Sequence, residues 1–234
     1  MPQLLSYKGT LAYPFRNEKD RRQGDIGEFR ENSLFQRVFV NNRVAIGFLF
    51  GLLLPLLALP HKLPFLAGLP RAVVGAGPTL WSIALGLPAA VLGAGIRTWS
   101  SGVIVKNKQL ATCGPYALTR NPLYVGSFVM GIGVTVMTGS PVLMAAVAVL
   151  FPLVYGGLVR KEEKYLLGVY GEDFLDYCAR VPRFIPSLEN WPPEPAAYDI
   201  GRVLKKHKEW RAWLAVYAVT AFLLLCVALK AGNK

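Results

Sequence analysis

The sequence predicts an all-α integral membrane protein with five transmembrane helices. Three observations carry that expectation. Apolar residues make up 53% of the 234-residue chain and charged residues only 17%, against roughly 45–50% and about 25% in an ordinary soluble domain. Mean hydropathy is +0.36. The apolar residues also gather in long uncharged stretches, where a soluble amphipathic helix would show a polar face. Finally, the Lys and Arg residues fall almost entirely between alternate stretches.

A bilayer core takes about 20 apolar residues per helix, with a range near 17–25. Val44–Pro60, Ala72–Ile96 and Ala212–Leu229 each supply one span. Asn121–Val159 is too long for one span and suits two short ones, and Thr138-Gly139-Ser140-Pro141 at its middle is a turn signal. The expected hairpin is Pro122–Met137 followed by Val142–Val159. Gly86, Gly93 and Gly95 suit close helix packing in the second span. With the N-terminus inside, 22 of the 26 basic residues and all 14 acids fall on cytoplasmic segments, the bias that sets topology. The expected divisions are a cytoplasmic or interfacial segment 1–43, a membrane core 44–186, a cytoplasmic linker 187–211 and a further C-terminal helix 212–234. Within 1–43, Leu34, Phe35, Val38 and Phe39 recur at helical spacing, which suits a helix lying on headgroups or one packed on cytoplasmic loops.

Several function classes drop out. The scattered Cys113, Cys178 and Cys226 make no disulfide framework, and two distant histidines, His61 and His207, leave no metal-ligand spacing. A formal charge of +12 combined with this hydropathy points to anionic lipid as a partner and not to nucleic acid. The run Lys205-Lys206-His207-Lys208 reads as a juxtamembrane anchor for such lipid.

Two cytoplasmic segments carry the candidate chemistry. The first runs from Lys108-Gln109-Leu110 through Gly114-Pro115-Tyr116 to Arg120-Asn121-Pro122-Leu123-Tyr124. Gly114-Pro115 is a turn, and Asn121 is a candidate N-cap with Pro122 at the first helical position. Backbone N–H groups at such a helix start suit an anion. The Tyr116 and Tyr124 rings suit a cation such as a sulfonium. The second segment holds Arg160-Lys161-Glu162-Glu163, then Tyr170-Gly171, Tyr177 and Val181-Pro182-Arg183. Arg160 and Glu163 are three apart and so neighbours on one helical face. They could hold a zwitterionic ligand where a span leaves the membrane, or simply close that span as an interfacial pair.

Together these segments resemble the C-terminal signature of the isoprenylcysteine carboxyl methyltransferase family, membrane enzymes that use S-adenosylmethionine; phospholipid methyltransferases share much of it. The resemblance covers about 97–186 in order, with the hydrophobic hairpin between the two halves. It implies a methyltransferase core with cytoplasmic cofactor-binding segments. Lys108, Gln109, Leu110, Gly114, Tyr116, Arg120, Asn121, Pro122, Tyr124 and Glu163 would stand beside S-adenosylmethionine, and Arg160 and Glu162 would face the acceptor. It further implies a lipophilic or lipidated acceptor reaching the site from the bilayer, with a prenylcysteine-like carboxylate favoured. A phospholipid amine, a nicotinamide-dependent membrane reductase and a non-catalytic scaffold are the alternatives. Lys108 and Asn121 stand where the family pattern has histidines, Tyr170 replaces a Phe and Phe174 replaces a Tyr.

Overall fold

The computed structural model describes residues 77–103, 110–189, 191 and 197–232. The expected span Val44–Pro60, the 34–39 segment, Lys108 and Gln109 lie outside the described residues, as does most of the Pro-rich stretch after Trp191. The described residues form helices and no strands: α1 (Leu80–Val103), α2 (Pro115–Leu118), α3 (Pro122–Thr138), α4 (Pro141–Tyr170), α5 (Glu172–Arg180), a π-helical turn over Arg202–Lys206, and α6 (Trp210–Gly232). Three of these, α1, α4 and α6, are long and apolar enough to cross a membrane, and α3 is a shorter apolar helix.

The closest contact is between α1 and α3, which run antiparallel. It rests on two pairs of glycines, each pair seven residues from the next along its helix. A Cβ built on Gly86 would fall 2.4 Å from the Gly133 carbonyl oxygen. One on Gly93 would meet the Gly126 carbonyl oxygen at 2.5 Å and the Met130 nitrogen at 2.4 Å. Only hydrogen fits there, so backbone lies against backbone. Among the described residues nothing lies within 4 Å of a Cβ built on Gly95, so it takes no part in this contact, which corrects the expectation that all three glycines serve packing. Heptad spacing on a helix returns to nearly the same face, whereas a shift of two residues turns about 200° away.

The expected hairpin is present. Gly139, with φ 66°, ends α3 in the left-handed conformation that glycine adopts without strain. The Ser140 Oγ accepts from the Leu143 N–H at the start of α4. The second arm, however, does not stop at Val159 but continues to Tyr170. Lys161, Glu162, Glu163, Lys164, Leu166 and Leu167 are good helix formers, and they carry the helix through the single Gly168 to Gly171. Gly171 closes the helix at φ 56°. At about 1.5 Å per residue, Pro141–Val159 spans roughly 28 Å, close to one hydrocarbon thickness. The charged turns after Val159 then extend beyond it.

α6 packs across both α1 and α3. Val216, Val219 and Leu223 enter one buried cluster with Ile83, Ala90, Val134 and Met137. The large exposed side chains of α4, among them Val149, Leu150 and Leu153, face outward, as expected where lipid is the solvent.

Gly93→Ala should destabilise the protein by about 1–3 kcal/mol through overpacking, whereas Gly95→Ala should leave stability unchanged or slightly raised. Thermal unfolding of both variants in detergent micelles checks this contrast.

Candidate active site

The two candidate segments come together in space. Residues 118–121 and 182–187 are laced by hydrogen bonds: the Arg120 N–H donates to the Pro182 carbonyl (2.9 Å), and the Ser187 N–H donates to the Leu118 carbonyl (2.9 Å). The Thr119 hydroxyl donates to the Arg183 carbonyl at 3.1 Å. α5 closes the far side, with Phe174, Tyr177 and Val181 forming a small core of their own. Between these elements and the last turns of α4 lies a cavity of about 290 Å³.

Leu110, Tyr116, Arg120, Asn121, Pro122, Tyr124, Glu162 and Glu163 all line it, joined by Tyr170 and Tyr177. Gly114 does not. It sits at the start of α2 with φ 58°, and its carbonyl accepts from the Ala117 N–H. Arg160 does not line the cavity either. It is exposed, and its Nε donates to the Gly156 carbonyl of its own helix.

The expected Arg160–Glu163 pair is therefore replaced. Glu163 is held by Arg183, whose Nε and terminal nitrogen reach the two carboxylate oxygens at 3.2 and 2.7 Å, and by Arg120 at 3.4 Å. Spacing of three places two side chains near one another, but packing selects which face turns inward. Glu163 is 9% exposed, while Arg160 faces outward. Of these three groups Arg120 and Glu163 line the cavity, and Arg183 grips the carboxylate from outside it. The neighbouring Glu162 accepts a hydrogen bond from the Tyr124 hydroxyl at 2.9 Å.

Asn121 does occupy the position before α3, but its side chain does not cap the helix. Its amide instead donates to the Arg183 carbonyl at 3.1 Å, since that carbonyl lies against it and a cap would leave the tie unmade.

The Tyr177 hydroxyl donates to the Tyr116 carbonyl at 2.7 Å. Burial pushes this phenol well above the ordinary tyrosine range, against the pull of Arg120, so it stays a donor and is no base. Burial likewise raises the Cys178 thiol, to which Arg120 donates. It is a neutral packing group at physiological pH. No cluster of three or more His, Cys, Asp or Glu able to hold a metal occurs among the described residues. Sequence reasoning gave no role to Arg183 or Tyr177; both sit in the second segment, but their partners lie 20 and 61 residues away.

An aromatic series leaves the cavity along the seam between α3 and α4. The Tyr124 ring stands 5.5 Å from Tyr155, Tyr155 stacks on Phe151 at 4.1 Å, and Phe151 meets Phe128 at 5.4 Å.

Fold and site define a helical membrane protein with a polar, tyrosine-walled pocket just past the apolar length of a spanning helix. Residues 77–173 match the family model described as phospholipid methyltransferase. Relatives of the chain include the cobalt-zinc-cadmium resistance protein CzcN of Cupriavidus metallidurans, 40% identical over 83 residues covering 36% of this chain and 38% of the relative. They also include the protein-S-isoprenylcysteine O-methyltransferases of Mus musculus, 36% identical over 80 residues (34% and 28% of the two chains), and, as the B form, of Arabidopsis thaliana, 31% identical over 81 residues (35% and 41%). The chain thus spans well under half the length of the curated relatives it matches. No solved structure matches it.

Tyr177→Phe should remove the hydrogen bond to the Tyr116 carbonyl and cost about 0.5–1.5 kcal/mol. The folded-state pKa of Tyr177 is raised, so the wild-type advantage is complete below the unfolded value near 10 and shrinks above it. Thermal unfolding of wild type and variant, compared at pH 8 and pH 11, checks both magnitude and sign.

Proposed function

We propose that this protein is a membrane methyltransferase that moves a methyl group from S-adenosylmethionine to a lipophilic acceptor, with a prenylcysteine-like carboxylate favoured. The observation that carries the reading is the convergence of the two motif segments on one cavity at the end of the apolar stretch of α4.

The residues present fit the cofactor. The Arg120 Nε is buried without a hydrogen-bond partner among the described residues, which suits a carboxylate, and Tyr116 and Tyr124 are ring surfaces suited to a sulfonium. Tyr116, Arg120, Asn121, Pro122, Tyr124 and Glu163, with Leu110, would hold it; Gly114 would shape the turn, and Lys108 and Gln109 would contribute from the preceding segment. When bound, S-adenosylmethionine supplies a methyl group already activated on a positively charged sulfur. What remains for the protein is largely position and exclusion of water. Glu163, fixed between Arg120 and Arg183, orients those guanidiniums. Arg160, on the outer side of α4 where the apolar stretch ends, would draw in the acceptor headgroup, and Glu162 would meet it in the cavity. A carboxylate acceptor needs no general base at neutral pH.

A second reading is a phospholipid amine as acceptor. The exposed Glu162 carboxylate in the cavity lining favours it, since an amine must first lose a proton to a nearby base.

We further propose five spans with a cytoplasmic N-terminus and site, on the distribution of basic residues. A reporter fused after Lys234 should be active outside only; activity in the cytoplasm would overturn the five-span count.

Purified protein in detergent should bind labelled S-adenosylmethionine and not NADPH. Tyr116→Ala should weaken that binding by about 1–2 kcal/mol. Arg160→Ala should leave cofactor affinity nearly unchanged and lower methyl transfer to a lipid extract, as loss of an acceptor-orienting group would. Retained NADPH binding without S-adenosylmethionine binding would instead indicate a reductase.

A further inference from the structure

The matched family segment ends at Asp173, yet a buried carboxylate far beyond it reaches back toward the pocket. Glu209, 5% exposed, pairs with Arg97 of α1 through both oxygens, at 3.1 Å to Nε and 3.0 Å to a terminal nitrogen. The remaining terminal nitrogen of Arg97 donates to the Ser127 hydroxyl on α3. Ser127 in turn donates to the Leu123 carbonyl at 2.8 Å, and Leu123 lines the cavity beside Tyr124.

The chain around Glu209 is built to deliver it. Lys208 is held at φ 54°, the one non-glycine among the described residues with positive φ, a conformation that persists only when its surroundings impose it. The Glu209 N–H donates to the Val203 carbonyl of the π-helical turn at 3.0 Å. Arg202 donates to the Gly102 carbonyl at the end of α1 at 3.3 Å, and Trp213 donates through its indole to Thr98 at 2.9 Å. The approach to α6 is thus fastened along the last two turns of α1 on both sides of Glu209.

We propose that Glu209, Arg97 and Ser127 are positioning residues for the pocket: a relay from the Glu209 carboxylate through Arg97 and Ser127 to the Leu123 carbonyl fixes the first turn of α3, which forms one pocket wall. The C-terminal helix is then part of the site's framework. The pocket's role as an active site rests on the function proposed above; the mechanical coupling does not.

The test is amide hydrogen exchange on the full chain in lipid nanodiscs, followed over residues 121–128 and over α6. Glu209→Gln keeps volume and hydrogen-bonding capacity but removes the charge that holds Arg97. It should speed exchange at 121–128 by tenfold or more while α6 stays protected. Ser127→Ala cuts the relay downstream and touches no contact of α6, so it should reproduce the effect. The double variant should be no worse than the worse single one, because both cut the same chain. Where wild type binds labelled S-adenosylmethionine, both variants should lower its affinity at least fivefold. Unchanged exchange at 121–128, equal loosening of every helix, or additive effects in the double variant would each overturn the proposal. Absence of cofactor binding to wild type would instead overturn the functional reading and leave the exchange result to decide the relay.

Discussion

The backbone contact between α1 and α3 is the constraint on which the other arrangements depend. Lipid tails are as apolar as leucine, so two helices in a bilayer gain little from hiding hydrophobic side chains and associate by close fit instead. Gly86 against Gly133 and Gly93 against Gly126 provide that fit. They also set its register, because only those residues allow the approach. Once α3 is seated, its first turn stands where Asn121 and Tyr124 meet the last turns of α4, and α6 can bridge the two helices with Val216, Val219 and Leu223.

Two buried acids then organise the polar end. An unpaired carboxylate in such surroundings would be expensive, so each is matched by arginine with several hydrogen bonds. Glu163 gathers Arg120 and Arg183, which arrive from the two motif segments, and thereby closes the pocket around their meeting point. Glu209 takes Arg97 alone, and the third nitrogen of that guanidinium is left to reach Ser127. Arginine suits both places because its planar fork grips two oxygens at once while keeping a further donor for another group. The polar contacts so made are long in sequence and short in space.

That same fact explains what the sequence disclosed and what it withheld. The spans containing α1 and α6, and the hairpin of α3 and α4, were legible because an uncharged run of the right length with Gly139 at its bend has few alternatives. The pocket was legible as two segments because its residues are contiguous in each. Residue spacing misled at Arg160 and Glu163, where helical proximity says nothing about which face packs. It also misled at Gly95, two residues from a contact glycine and on another side. Arg183 and Glu209 gave no local signal, since their partners lie 20 and 112 residues away. The apolar span and the helix end at different places: hydropathy marks Val159, whereas the helix-favouring charged residues after it carry α4 on to Tyr170.

The position of the cavity bears on the proposed acceptor. Its carboxylates, Glu162 and Glu163, begin three residues after the last residue of the apolar stretch, Val159. A wholly water-soluble acceptor would gain nothing from that depth, and a wholly apolar one would have no group to present to Arg160 or Glu162. The aromatic series along the α3–α4 seam is graded in the same sense. Phe128 and Phe151 are purely hydrocarbon, Tyr155 adds a hydroxyl, and Tyr124 places its hydroxyl on Glu162. A molecule with a hydrocarbon chain and a polar head would meet matching surroundings along its whole length, with its head at the end of the series where the charges are. On the proposed reading, the boundary between apolar helix and charged turns in α4 therefore selects the kind of acceptor, while Glu163 and its two arginines serve the cofactor on the other side of the same turn.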